Sequence, residues 1–169
     1  MSNSLQLTPY VAYLKSLSTE TAALENHELW EGFINVENAI GQDQMQSLVI
    51  ALGAMAREGD REDFEREIFH WAYFPSRKKA KFFAKRLLKH GYSFVGGGQV
   101  RKSKKICVQF SHFGPATLFS MAEHIAHIKK LISGTQGIYD GWETSVERVT
   151  ETASGFWQTT ETFIDLATQ

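Results

Sequence analysis

Apolar positions in the first third of the chain recur with the three-to-four-residue spacing of helices. Leu7, Thr8 and Pro9 supply a staple position, an N-cap and an N1 proline, and Tyr10, Val11, Tyr13, Leu14 and Leu17 follow them, which predicts a short first helix. A second is predicted from near Asn26, with Leu29, Trp30, Phe33, Val36 and Ile40, and a third with Met45, Leu48, Val49, Leu52 and Met55; Gly41 separates the two. From residue 68 the pattern changes. IFHWAYF (68–74) is aromatic, β-rich and stopped by Pro75, as a strand would be. Ser76 then offers an N-cap, Ala80, Phe83, Ala84, Leu87 and Leu88 form an apolar stripe, and Gly91 is placed to close the helix. YSFV (92–95) reads as a second strand and GGG (96–98) as a flexible turn. KKICVQFSH (104–112) alternates, with Ile106, Val108 and Phe110 on one face and Cys107, Gln109 and Ser111 on the other. Pro115 is read as opening another helix, carrying Leu118, Met121, Ala122, Ile125, Ile128 and Ile132, and IYDGWETSV (138–146) as the last strand.

Two strand-helix-strand units in tandem predict an α+β fold, a ferredoxin-like split βαβ sandwich of order β-α-β-β-α-β with an antiparallel sheet and both helices on one face. This gives a helical N-terminal extension (1–58), a ferredoxin-fold domain (59–147) and a C-terminal amphipathic segment (148–169) with Phe156, Trp157, Phe163 and Ile164. The first strand places Phe69, Trp71 and Tyr73 together on one side. That face is expected to be covered in part by the N-terminal helices and the tail.

At 169 residues the chain is long enough to bury a core without a metal or disulfide. Cys107 is the only cysteine, no apolar run approaches a membrane span, and the N-terminus lacks the basic start and apolar stretch of a secretory signal, so a cytoplasmic location is expected. The formal net charge of −1 conceals segregation: residues 1–67 sum to −8, residues 68–122 to +11 with no acidic side chain, and residues 123–169 to −4. Much of the positive charge falls on the predicted helix after Pro75. Arg77, Lys81, Lys85 and Lys89 stand at successive i+4 positions with Lys78 and Arg86 beside them, so like charges stack along one stripe at a cost of about 0.2–0.5 kcal/mol per neighbouring pair. A bound polyanion or an acidic protein surface would offset that cost.

Catalytic chemistry finds little support. The triple glycine is not followed by Gly-Lys-Ser/Thr and precedes a strand, so it makes no phosphate loop. His124 and His127 are three apart on a helix with His112 nearby in sequence, a spacing that could serve a metal, but no HExxH or cysteine pair completes it; these histidines read as solvent-exposed. Cys107 has no evident base, and Glu62, Asp63, Glu65 and Glu67 read as a solvated acidic surface. No catalytic residue, cofactor or metal is expected. The β-α-β-β-α-β order is also that of RNA-recognition modules, and Phe69, Trp71 and Tyr73 could imitate one strand of their stacking platform, but KKICVQFSH lacks the glycine and paired aromatics of the other. RNA binding is therefore the second reading.

From Ala51 to Val146 the sequence resembles the ribonuclease E inhibitor B family, the RraB-like proteins. REGD (57–60), HWAYFPSRKKAKFFAKRLLKHGYSF (70–94) and above all IYDGWETSV (138–146) carry the resemblance. Members place a Tyr-Asp-Gly-Trp sequence after a glycine-containing helix end and form the final strand with it, matched here by Gly137 and by Tyr139 to Trp142. The resemblance implies a ferredoxin-like α+β sandwich and a non-enzymatic regulator that acts by protein-protein contact, its partner a ribonuclease E-type endonuclease bound through a non-catalytic scaffold region. Two candidate partner-binding surfaces follow: the stripe Arg77, Lys78, Lys81, Lys85 and Lys89, and the aromatic-acidic segment Tyr139, Asp140, Trp142 and Glu143. Gly141 within that strand predicts a bulge, and the bulky Tyr139 and Trp142 also suit a purely architectural role.

Overall fold

The computed structural model describes residues 37–151 and 157–164. The predicted first helix and most of the second lie outside these residues. Residues 37–40 are helical and stop at Gly41, whose φ of 88° only glycine adopts without strain. Helix α1 (Gln42–Arg57) buries Met45, Leu48, Val49, Leu52 and Met55 at the predicted spacing. There follow β1 (Glu65–Phe74), α2 (Arg77–Lys89), β2 (Ser93–Gln99), β3 (Ile106–Pro115), α3 (Leu118–Ile132), β4 (Ile138–Glu151) and β5 (Trp157–Ile164).

The class is α+β. The strands form one antiparallel sheet in the order β2-β3-β1-β4-β5. It is not a simple split βαβ unit, because β5 extends it beside β4 from Thr144↔Ile164 to Glu151↔Trp157. That part of the tail joins the sheet at its side instead of lying over its open face, and β4 is not the final strand. Helix α1 rests on α3, in the helical layer, so it does not cover the open face either.

Alternation in β1 assigns the two faces. Arg66, Ile68, His70, Ala72 and Phe74 are buried under the helices, and Phe69, Trp71 and Tyr73 are half-buried on the other side. Phe83 of α2 packs on Phe74 and Phe110 at ring separations of 4.8 and 5.4 Å, joining the helix to β1 and β3. From α3, Met121, Ala122, Ile125 and Ile128 complete the same core.

Two boundaries differ from expectation. Pro115 ends β3, and the helix starts after Thr117, whose hydroxyl accepts from the Ser120 N–H at 3.3 Å. The triple glycine is not a turn but the body of β2, paired as Gly96↔Gln109, Gly97↔Val108 and Gly98↔Cys107. A Cβ on Gly97 would sit 2.8 Å from the Cys107 carbonyl oxygen, so close strand approach explains the glycine there. The reversal falls instead at 100–105, where Val100 N–H donates to the Lys105 carbonyl at 3.0 Å and Lys102 takes a positive φ.

The predicted bulge in β4 is present: Trp71 pairs with Gly141 and Ala72 with Tyr139, leaving Asp140 as the extra residue. Buried Asp60 and Arg66 fasten the loop before β1. Arg66 binds the Asp60 carboxylate and donates to the Ser145 carbonyl at 2.9 Å, while Asp60 also accepts the Glu147 N–H at 2.8 Å. This ties the REGD stretch to β4.

Candidate functional site: a cationic helix beside an open strand

Ser76 caps α2 as expected, accepting from the Lys79 N–H at 3.4 Å, and Gly91 takes a positive φ just beyond the helix end. Burial of Ala80, Phe83 and Leu87 turns the remaining face to solvent. Two of its seven cations are used within the molecule. Arg86 donates to the carbonyls of Leu131 and Ser133 at 3.0 and 3.1 Å, closing the end of α3, and Lys79 reaches the Gln136 amide. The other five, Arg77, Lys78, Lys81, Lys85 and Lys89, are exposed, and among the described residues none has a carboxylate within ion-pair distance. These five are the predicted stripe.

Arg77 and Lys81 also line one side of a cleft of about 360 Å³, whose floor and far wall come from Phe94, Gly97, Gly98 and Ile106. Two of the five cations, Arg77 and Lys81, thus lie on the side of α2 next to β2. Cys107 borders the same cleft; burial raises its thiol pKa, which keeps it protonated and a poor nucleophile.

The second predicted surface is divided by the structure. Tyr139 and Trp142 are buried on the helical side of β4, where they pack in the core. Asp140 is exposed at the bulge and Glu143 is half-buried.

The histidines depart most from expectation. His112 is 6% exposed, and His124 and His127 are half-buried, so the solvent-exposed reading fails. Together with His70 they form a polar chain through the core. The Tyr139 hydroxyl lies 2.9 Å from His70 Nδ1, His70 Nε2 lies 2.9 Å from His112 Nδ1, and His112 stacks on His124 at a ring separation of 3.5 Å. His124 Nδ1 meets the Tyr92 hydroxyl at 2.9 Å, and His127 meets His90 edge-on near the surface. Burial is the main force lowering all four pKa values, that of His112 to about 3, with neighbouring imidazoles adding to it. Tyr139 and Tyr92 are raised by burial, Tyr92 to about 12. Alternation placed His70 and His112 on strands, but only the register Ile68↔His112 and His70↔Phe110 makes them diagonal neighbours on one face. Among the described residues no group of three or more His, Cys, Asp or Glu side chains is arranged to hold a metal ion.

Phe69, Trp71 and Tyr73 share the open face, and α2 packs on the opposite one, so the aromatic row and the cationic row cannot form one surface. No described helix is long and apolar enough to cross a membrane. The described residues thus form an α+β domain with an unpaired cationic helix on its surface and a chain of histidine and tyrosine side chains turned into its core. Comparison with protein families matches residues 49–144 to the family described as regulator of ribonuclease activity B, RraB. The match covers more than half of the chain, and the chain belongs to that family. A search of curated proteins finds no match.

Proposed function

We propose that this protein is a non-enzymatic cytoplasmic regulator that modulates a ribonuclease E-type endonuclease by binding its protein chain, through the exposed cations of α2. The observation that carries this reading is the set Arg77, Lys78, Lys81, Lys85 and Lys89, placed together on one helix and unpaired among the described residues. Such a row repels itself in the free protein and is relieved by an acidic partner. Membership of a family described as regulating ribonuclease activity supports a ribonuclease as the target. The strand order supports reading β1 to β4 with their two helices as a ferredoxin-like unit, to which β5 is added.

Cleavage of a model RNA by a purified ribonuclease E-type endonuclease tests this. The intact protein is expected to slow cleavage and to co-purify with the endonuclease, and the Lys81→Glu/Lys85→Glu variant to do neither while keeping its fold. Unchanged cleavage at a large excess of the protein would defeat the proposal. RNA as the direct ligand would show itself as a mobility shift of labelled single-stranded RNA that fades steeply with salt.

A further inference from the structure

Strand β2 is the last of its sheet, and among the described residues it pairs with β3 alone. Its sequence, SFVGGGQ, carries neither charge nor proline, the usual protections of an exposed edge, and six of its seven residues are exposed. Phe94 is 50% exposed and Val95 44%. Counting the antiparallel alternation back from the Val100–Lys105 bond, Gly98 exchanges its hydrogen bonds with β3. The N–H and C=O of Gly97 and Gln99 therefore point outward. They are free to pair with another extended chain.

Two cations stand beside this edge. Arg77 and Lys81 share a cleft with Phe94, Gly97 and Gly98, and Lys85 is one turn beyond Lys81. Successive i+4 cations on a helix are about 6 Å apart, and successive same-face side chains of a strand about 6.8 Å, so the two rows keep step over several residues. Below and beyond, the loop after β2 adds Arg101, Lys102, Lys104 and Lys105. No acidic residue occurs between 68 and 122.

We infer that the outer edge of β2 receives an extended acidic peptide as an added strand, its carboxylates under Arg77, Lys81 and Lys85 and an apolar side chain in the cleft against Phe94 and Ile106. Backbone pairing would supply affinity, and the neighbouring cations the selection for acidic chains. A basic chain, or the edge of a second copy with its own cations, meets repulsion instead. The inference rests on the protein-binding reading above and assigns it a surface and a geometry.

The test uses the full chain and a short fluorescein-labelled peptide in which Glu and Val alternate, followed by anisotropy at low ionic strength. Saturable binding is expected, with new protection of the Gly97 and Gln99 amides in hydrogen exchange. N-methylation of alternate peptide amides removes pairing without touching the protein and should weaken binding about tenfold or more. Gln99→Pro should do the same from the other side, since the one backbone donor it removes points outward, and Gln99→Ala, which loses only the exposed side-chain bond to the Ser103 carbonyl, is its control. Replacing Glu by Lys in the peptide, or Lys81 and Lys85 by Glu in the protein, should abolish it. The inference is overturned by absence of saturable binding, by equal binding of the N-methylated peptide, or by a dimer joined through β2 that excludes the peptide. Endonuclease regulation without peptide binding would refute the edge alone, and peptide binding without regulation would refute the functional reading alone.

Discussion

His70 Nε2 and His112 Nδ1 face each other at 2.9 Å in the core, and only one of the two nitrogens can carry the proton between them. If His70 donates, its Nδ1 accepts from Tyr139 and His112 keeps a buried Nε2–H; if His112 donates, its Nε2 is a buried lone pair. Either way His112 Nε2 has no hydrogen-bond partner. The chain is satisfied at every other link as long as both rings are neutral.

Acid should therefore destabilise the protein well before carboxylates titrate. Burial holds His112 at about 3 against an ordinary value of 6.5, and lowers His70 in the same direction. Between those pH values the unfolded chain takes up protons that the folded chain refuses, so stability rises with pH up to about 6.5 and is lost below it. Each such histidine contributes a slope of about 1.4 kcal/mol per pH unit in that window. Urea unfolding at successive pH values checks this, and His112→Gln should flatten the slope. A wild-type stability that stays constant between pH 7 and pH 5 would contradict the buried neutral pair.

Asp60→Ala should cost about 3–5 kcal/mol, because it strands the Arg66 guanidinium in a site where both side chains are nearly inaccessible. The same change frees the Glu147 N–H that Asp60 accepts. Chemical denaturation measures the loss, and Asp63→Ala is the control, since the Arg61–Asp63 pair is exposed and contributes little.

Gly137→Ala is expected to destabilise by about 1–3 kcal/mol through overpacking. An added Cβ would lie 2.3 Å from the ring of Phe74, which is fully enclosed and cannot swing away. Gly98→Ala meets nothing within 4 Å and should leave the thermal midpoint nearly unchanged. Equal midpoints for the two variants would remove the packing explanation for Gly137.

What the chain discloses before folding is mostly what depends on local period. The apolar stripe of α2 and its Ser76 cap, the faces of β1 and the cationic row can all be read from spacing, because helix and strand periods act over a few residues. The errors are where long-range pairing decides. Three glycines look like a turn until β3 lies beside them and only the backbone is needed. His112, His124 and His127 look solvent-facing until the β1–β3 register and the seating of α3 bring His70, His112, His124 and Tyr92 within reach of one another. The cations of the candidate site were legible. The open edge beneath them was not, since strand order has no local signature.

The cationic row offers a test that separates function from stability. Helix α2 has no acidic residue in its first turn, where the helix dipole favours one, and instead begins Arg77, Lys78, Lys79. Lys81 has like-charge neighbours at i−4, i−3 and i+4, namely Arg77, Lys78 and Lys85. Replacing it by glutamate converts three repulsive pairs into attractive ones, worth about 0.2–0.5 kcal/mol for each repulsion removed and for each attraction gained. The thermal midpoint of Lys81→Glu should therefore stay level or rise by about 2–4 °C. Binding of the acidic peptide and modulation of the endonuclease should fall in the same variant. A rise in stability together with a loss of binding identifies charges retained for a partner at the expense of the fold. If stability and binding fall together, Lys81 serves the helix and the cationic row is not the docking surface.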